Sequence, residues 1–116
     1  YEVITKEQYD EYGVERCLEI ILERVGDKPL YITFDLDCLD ATVAPGVANL
    51  EPAIEGFMMP DVLKLLQGMR GRKIIGGDVV CLMPTKDAPN QITAHVANAI
   101  LFEMICLIAD NFRSTS

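Results

Sequence analysis

Apolar and polar positions along this chain follow a helical period in some stretches and short unbroken apolar runs in others. Over residues 6–25 the apolar residues Tyr9, Tyr12, Cys17, Leu18, Ile21, Leu22 and Val25 recur at close to helical spacing. Thr5 stands before them as an N-cap with Gln8 three positions on, a capping box, and Gly26 ends the run. Gly13-Val14 is a weak point inside this helix. Residues 30–36 form a strand-type run, apolar on both faces as a covered parallel strand is. Residues 37–57 have no period, hold Pro45-Gly46 and Pro52, and read as a long ordered loop; a loop of that length inside a compact domain is usually functional. Pro60 takes the first helical position with Asp61 in the first turn. Val62, Leu63, Leu65, Leu66 and Met69 make the apolar side of that helix, which stops near Gly71. Residues 73–82 read as a second buried strand, whose Gly76-Gly77 pair signals close backbone approach or a bulge. A loop over 83–91 contains Pro84 and Pro89. A strongly apolar helix follows over 92–109, and the tail 111–116 is expected to fray.

The order helix, strand, helix, strand, helix predicts an α/β fold with parallel strands. Two strands are too few for a free-standing sheet of this class. The sheet therefore continues in a missing part of the chain or in a partner. The 116 residues suffice for one small domain, and the chain opens on Tyr1 without an initiator Met, as a fragment or a processed chain would.

Charge narrows the function classes. Lys and Arg number 10 against 18 Asp and Glu, for a net charge of −8. That balance argues against nucleic acid or an anionic membrane as partner and suits a cation: a metal, an amine or a guanidinium. Glu7, Glu11, Glu15, Glu19 and Glu23 form a drifting acidic stripe on the first helix, read as a solvated face. Cys17, Cys38, Cys81 and Cys106 are widely spaced in apolar stretches, which points to reduced, mostly buried thiols in a cytoplasmic protein. No signal peptide and no apolar run long enough to span a bilayer is expected.

The candidate chemistry lies where the first strand meets its loop, at Thr33-Phe34-Asp35-Leu36-Asp37-Cys38-Leu39-Asp40. Along a strand, side chains alternate faces, so Asp35 and Asp37 are expected on one face and Phe34 and Leu36 on the other. Two adjacent carboxylates repel unless a shared proton, a basic partner or a metal offsets the cost. Hard divalent cations take carboxylate oxygens. The expectation is a metal site held by Asp35 and Asp37 at the carboxyl end of a buried strand, against the plainer reading that the acids only terminate the strand.

The same residues, followed by Ala44-Pro45-Gly46 and Glu51-Pro52, resemble the ureohydrolase family of arginases, agmatinases and other guanidino-acid hydrolases. The family pattern is S/T-F-D-x-D-x-x-D-P-x-x-A-P-G, and this chain departs from it at Ala41, where Pro is usual. Gly77-Asp78-Val79-Val80 with Pro84, and Ile92-Thr93-Ala94, resemble the family's next strand and last helix. The match corresponds to the family's C-terminal part and covers residues 1–116 as one portion of a single domain.

The resemblance implies a three-layer α/β/α fold with a mostly parallel sheet. It implies two Mn²⁺ ions per site, with Ni²⁺ as an alternative, and a metal-bridged hydroxide that attacks a guanidinium carbon to release urea. It makes Asp35 and Asp37 metal ligands, with the remaining ligands outside this segment. Asp40 becomes the candidate catalytic residue, an acid near the substrate or one that holds the loop, and Asp40, Asn49 and Glu51 line the substrate loop. It also implies a trimer or hexamer. The fragment by itself is expected to be inactive. His95, the one histidine, reads as a helix residue and not as a ligand.

Two departures matter. The family strand ends in D-V-V-E, whose Glu contacts the guanidinium; Cys81 stands at that position and cannot form the same charge-assisted pair. Glu51-Pro52-Ala53-Ile54-Glu55-Gly56 replaces the usual E-P-G-G, and Glu51 or Glu55 could supply the missing charge. Two rival readings follow: a catalytically inactive ureohydrolase-like subunit, and a Mg²⁺-dependent phosphatase of the haloacid-dehalogenase type. In the latter, Asp35 would be the nucleophile, Asp37 the acid, and Gly77-Asp78 a magnesium motif.

Overall fold

A computed structural model describes residues 1–52 and 54–115. The first helix, α1 (Lys6–Val25), starts on the predicted capping box: the Gln8 N–H donates to Thr5 Oγ1 at 3.1 Å and the Thr5 N–H donates to Gln8 Oε1 at 2.8 Å. Gly13 takes φ 82°, ψ 165° and kinks the helix. The kink re-phases the apolar side, so that Val14 joins Cys17 among the buried residues while Tyr12 turns outward. All five glutamates of the acidic stripe are exposed.

The two strands, β1 (Leu30–Asp35) and β2 (Ile74–Val80), pair in parallel, with Tyr31 opposite Gly76 and Asp35 opposite Val80. Both features signalled by the glycine pair are present. The register shifts at Leu30/Tyr31, leaving Ile75 bulged and 63% exposed. A Cβ on Gly77 would lie 2.9 Å from both the Ile32 carbonyl and Met104 Sδ, so the strand and the last helix approach each other only because that side chain is absent. Contrary to the expectation of apolar faces on both sides, β1 alternates: Tyr31, Thr33 and Asp35 are exposed, while Leu30, Ile32 and Phe34 pack against the core.

Between the strands, α2 (Met59–Gln67) begins one residue before Pro60 and gives way at Gly68 to successive tight turns that reach Arg72, short of the predicted helix end. The last helix, α3 (Ile92–Thr115), runs through the tail that was expected to fray. Its final turns are tied down by Leu107 and Ile108 in the core and by a 3.2 Å bridge from Arg70 to Asp110. Ser116 lies outside the described residues. Contrary to the sequence expectation, Ile92–Arg113 is long and apolar enough, at mean hydropathy 1.8, to cross a bilayer by length and composition. In this fold its row Thr93, Val96, Ile100, Met104 and Leu107 is buried, packed over β2 and joined by Leu36, Leu39, Ala44, Val47, Val62, Leu66 and Ile74. Only this row is covered: 28% of the apolar stretch is buried, and Leu101, Phe102 and Ile105 face outward.

The loop over 37–57 feeds this core. Its base is closed by a bridge between Leu39 and Phe57, with the Asp40 N–H donating to the Phe57 carbonyl at 3.0 Å. Its middle is pinned to the start of α3, where the Gly46 N–H donates to the fully buried Thr93 hydroxyl at 2.8 Å. Replacing Thr93 by Val would strand that N–H away from water. The expected loss is about 1–3 kcal/mol, read as a lower chemical-denaturation midpoint.

Asp87 caps the same helix by accepting from the backbone N–H groups of Ala88, Thr93 and Ala94 at 2.9 to 3.1 Å. Burial pushes its carboxyl up, but these bonds and that of the Thr93 hydroxyl outweigh burial and hold it below the usual range. A carboxyl depressed on folding stabilises the fold above its unfolded value, about 3.9, and that stability is lost as pH falls through the folded value. Asp87→Asn is therefore less stable than the parent at neutral pH, and the gap narrows below about pH 4 in thermal melts across pH.

Candidate metal centre

Asp35 is the last residue of β1, and the chain leaves the strand one residue earlier than its apolar pattern predicts. The Asp35 carboxylate accepts the Asp37 N–H at 3.1 Å, and this caps a 3₁₀ turn over Leu36–Cys38. The expected strand alternation therefore does not extend to Asp37. The tight turn, anchored by fully buried Leu36, brings the two carboxylates together instead. Cys81 follows the end of β2 with φ 74°, in the left-handed region. Because Asp35 and Val80 are register partners, Cys81 emerges beside the turn. One ligand atom from each of Asp35, Asp37 and Cys81 lies within 4.8 Å of the others, the one such His/Cys/Asp/Glu group among the described residues. The group sits at the carboxyl ends of parallel strands, where open α/β sheets bind their ligands.

The electrostatics fit two carboxylates competing for one proton or one cation. For Asp35, burial raises the carboxyl, but bonds from the Cys81 thiol and from the Asp37 backbone and carboxyl outweigh it and bring it below the usual range. Asp37 is pushed up by burial, by the Asp35 carboxylate and by Glu51. The Cys81 thiol is raised by its bond to Asp35, by burial and by both negative neighbours. A divalent cation would offset the negative neighbours that raise Asp37 and Cys81. Two hard oxygen donors on a strand end suit such an ion. Three donors cannot complete two coordination shells, so a two-ion centre would need ligands beyond these three.

The remaining candidates divide. Glu51, Glu55 and Gly56 line a cleft of about 470 Å³ together with Asp37 and Cys38. Asn49 opens instead onto a neighbouring concavity of about 690 Å³, to which Glu51 and Lys86 also contribute. Asp40 is buried and turned inward: Oδ1 accepts from the Thr42 N–H at 2.9 Å and from its hydroxyl at 2.6 Å, and Oδ2 accepts from the Gly56 N–H at 3.2 Å. The Thr42 hydroxyl, then its N–H, hold that carboxyl below the usual range. Of the two roles expected for it, the geometry matches holding the loop. Asp78 accepts from Tyr31 and Thr33 on the open sheet face and is absent from the three-residue group, which is not the arrangement a magnesium phosphatase would need. His95 is exposed on α3.

The expectation of mostly buried thiols holds for Cys17 and in part for Cys38; Cys81 and Cys106 are exposed. Sequence reasoning missed Lys6 and Asp10, which line the Asp37 cleft from α1. Tyr9 fixes that placement: its ring packs edge-on to Phe57 at 4.8 Å, and its hydroxyl bonds Asp61. No local signal joins residues so far apart in the chain.

Comparison with known proteins agrees with this geometry. Among similar sequences, the agmatinase of Photorhabdus laumondii is 40% identical over 113 residues, covering 97% of this chain and 36% of its own length. That of Neisseria meningitidis serogroup C is 39% identical, covering 92% and 34%. Among solved structures, the proclavaminate amidino hydrolase of Streptomyces clavuligerus superposes with a TM-score of 0.86 at 33% identity, over 95% of this chain and 36% of that one. A hypothetical agmatinase from Burkholderia thailandensis gives 0.87 at 33% identity, over 99% and 35%. The chain thus spans about a third of the relatives it matches. The sequence profile of the Arginase family matches residues 1–106. A parallel α/β sheet ending in paired aspartates, and a match of this extent, make the chain a member of the arginase family.

Proposed function

We propose that this chain is the C-terminal third of a binuclear-manganese amidinohydrolase that cleaves a guanidino compound to urea and an amine. The observation that carries the reading is the convergence of Asp35 and Asp37 at the carboxyl end of β1, beside an acidic cleft. The agmatinases and the amidino hydrolase among its relatives support a guanidinium as the reacting group. When bound, the metal pair would supply an activated water and polarise the substrate. The residues of this chain do the rest. Asp35 and Asp37 hold the ions. Asp40 fixes the loop that carries Glu51 and Glu55 to the cleft, where their charge draws in and orients the cationic substrate. Asn49 lines the neighbouring concavity, which shares Glu51 with the cleft. Water adds to the guanidinium carbon, the C–N bond to the alkyl amine breaks, and urea and the alkylammonium leave.

The test is urea release by the full-length protein loaded with Mn²⁺ and offered arginine, agmatine, guanidinobutyrate, guanidinopropionate and guanidine. Urea from one of them names the substrate. Urea from none, with two ions bound, favours the second reading, a catalytically inactive subunit, for which Cys81 in place of a carboxylate is the specific observation. Glu51→Gln and Glu55→Gln separate the cleft's role from the metal's. In at least one of them KM for the cationic substrate rises by roughly tenfold, the scale of one charge-assisted bond, with metal content unchanged. Unchanged KM in both removes these acids from the substrate site.

A further inference from the structure

We propose that Cys81 is a further metal ligand at the Asp35–Asp37 site and that its sulfur raises the site's affinity for ions softer than manganese relative to an all-oxygen site. The inference rests on reading the paired aspartates as a metal site and adds what the third member of the group does. The Cys81 Sγ and the two carboxylates keep their ligand atoms at most 4.8 Å apart. That is within a small side-chain rotation of the roughly 3.5 Å that separates two donors on one tetrahedral ion, given bonds of about 2.0–2.3 Å. The side chain is exposed at the end of β2 and free of any disulfide, so no packing has to be broken for it to turn.

The donor set decides the preference. Carboxylate oxygens alone suit Mn²⁺ and Mg²⁺, whereas thiolate favours Zn²⁺ and other ions that bond well to sulfur. On ligation the S–H bond breaks, the sulfur keeps the electron pair for the metal, and the proton leaves to solvent. A thiolate so engaged does not pair with a guanidinium, which leaves substrate charge to Glu51 and Glu55 in the adjoining cleft.

Cobalt reports directly on sulfur ligation. The full-length protein, stripped of metal and titrated with Co²⁺, is expected to show a thiolate-to-cobalt charge-transfer band in the near ultraviolet. The band should vanish in Cys81→Ser and persist in Cys38→Ser and Cys106→Ser, the other thiols that are not fully buried. In competition, Zn²⁺ should displace Mn²⁺ more readily from the parent than from Cys81→Ser. Cobalt bound in an Asp35-dependent way without the band would overturn the sulfur ligand while leaving the aspartate site standing. A band that survives Cys81→Ser would also overturn it. No cobalt bound at all would remove the metal site and the proposal together.

Discussion

Asp35→Ala in the full-length protein is expected to lose metal from its site and to lower turnover by more than about 100-fold. Even partners that only orient a ligand are worth roughly 10–100-fold in metal affinity or activity, and in the proposed centre Asp35 supplies a ligand atom itself. It also caps the turn that carries Asp37, so its removal misplaces the second acid as well. Asp35→Asn separates the two effects. The amide oxygen still accepts the Asp37 N–H, so the turn is kept, but the anionic donor is gone. Metal analysis and urea release should fall together in both variants, with a normal thermal melt in Asp35→Asn. Retention of two tightly held ions in either variant would show that the metal, if any, sits elsewhere.

The second large effect is structural. Gly56 closes the base of the 37–57 loop, and a Cβ there would lie 2.5 Å from the Asp40 nitrogen and 2.7 Å from both Asp40 Cα and the Leu39 carbonyl carbon. All three are backbone atoms, so no side chain can swing aside. Gly56→Ala must push Leu39 and Phe57 apart, breaking their bridge and the Gly56 N–H bond to Asp40. Overpacking of this kind costs about 1–3 kcal/mol, and the absence of any yielding neighbour puts the expectation at the upper end. Urea denaturation gives the stability change. Because Glu55 and Gly56 share the cleft with Asp37, KM for a cationic substrate should rise in the same variant. A melt and a KM equal to those of the parent would mean that the loop base is not held as described.

Much of this arrangement is legible in the sequence because local rules set it. The Thr5–Gln8 box, the Gly13 weak point, the parallel pairing implied by helix–strand alternation, and the tight approach at Gly77 all rest on residues close in the chain or on the absence of one side chain. The paired aspartates are legible too, although the reason they meet is not. Strand alternation predicts their common side, whereas a capped 3₁₀ turn produces it, since Leu36 is drawn fully into the core and bends the chain. The tail reads as frayed because its last residues are polar, yet the Arg70–Asp110 bridge and the packing of Leu107 carry the helix to Thr115. The inward turn of Asp40 and the placement of Lys6 and Asp10 at the cleft depend on contacts between distant segments, which no periodicity encodes.

The bare face of the sheet, with Tyr31, Thr33 and Asp35 exposed, has the same origin. An apolar run predicts coverage on both sides, and this segment carries helices for only part of it. The chain spans about a third of the length of the relatives it matches.

The products formed from a guanidino substrate by the full-length, metal-loaded protein decide between metal-centred and thiol-centred chemistry. Urea and the free amine are expected in equal amounts, abolished by a chelator and by Asp35→Ala. Ammonia with a ureido product, insensitive to chelator and lost in Cys81→Ala, would contradict metal-centred chemistry, because the thiol and not the metal site would then be attacking the guanidinium carbon.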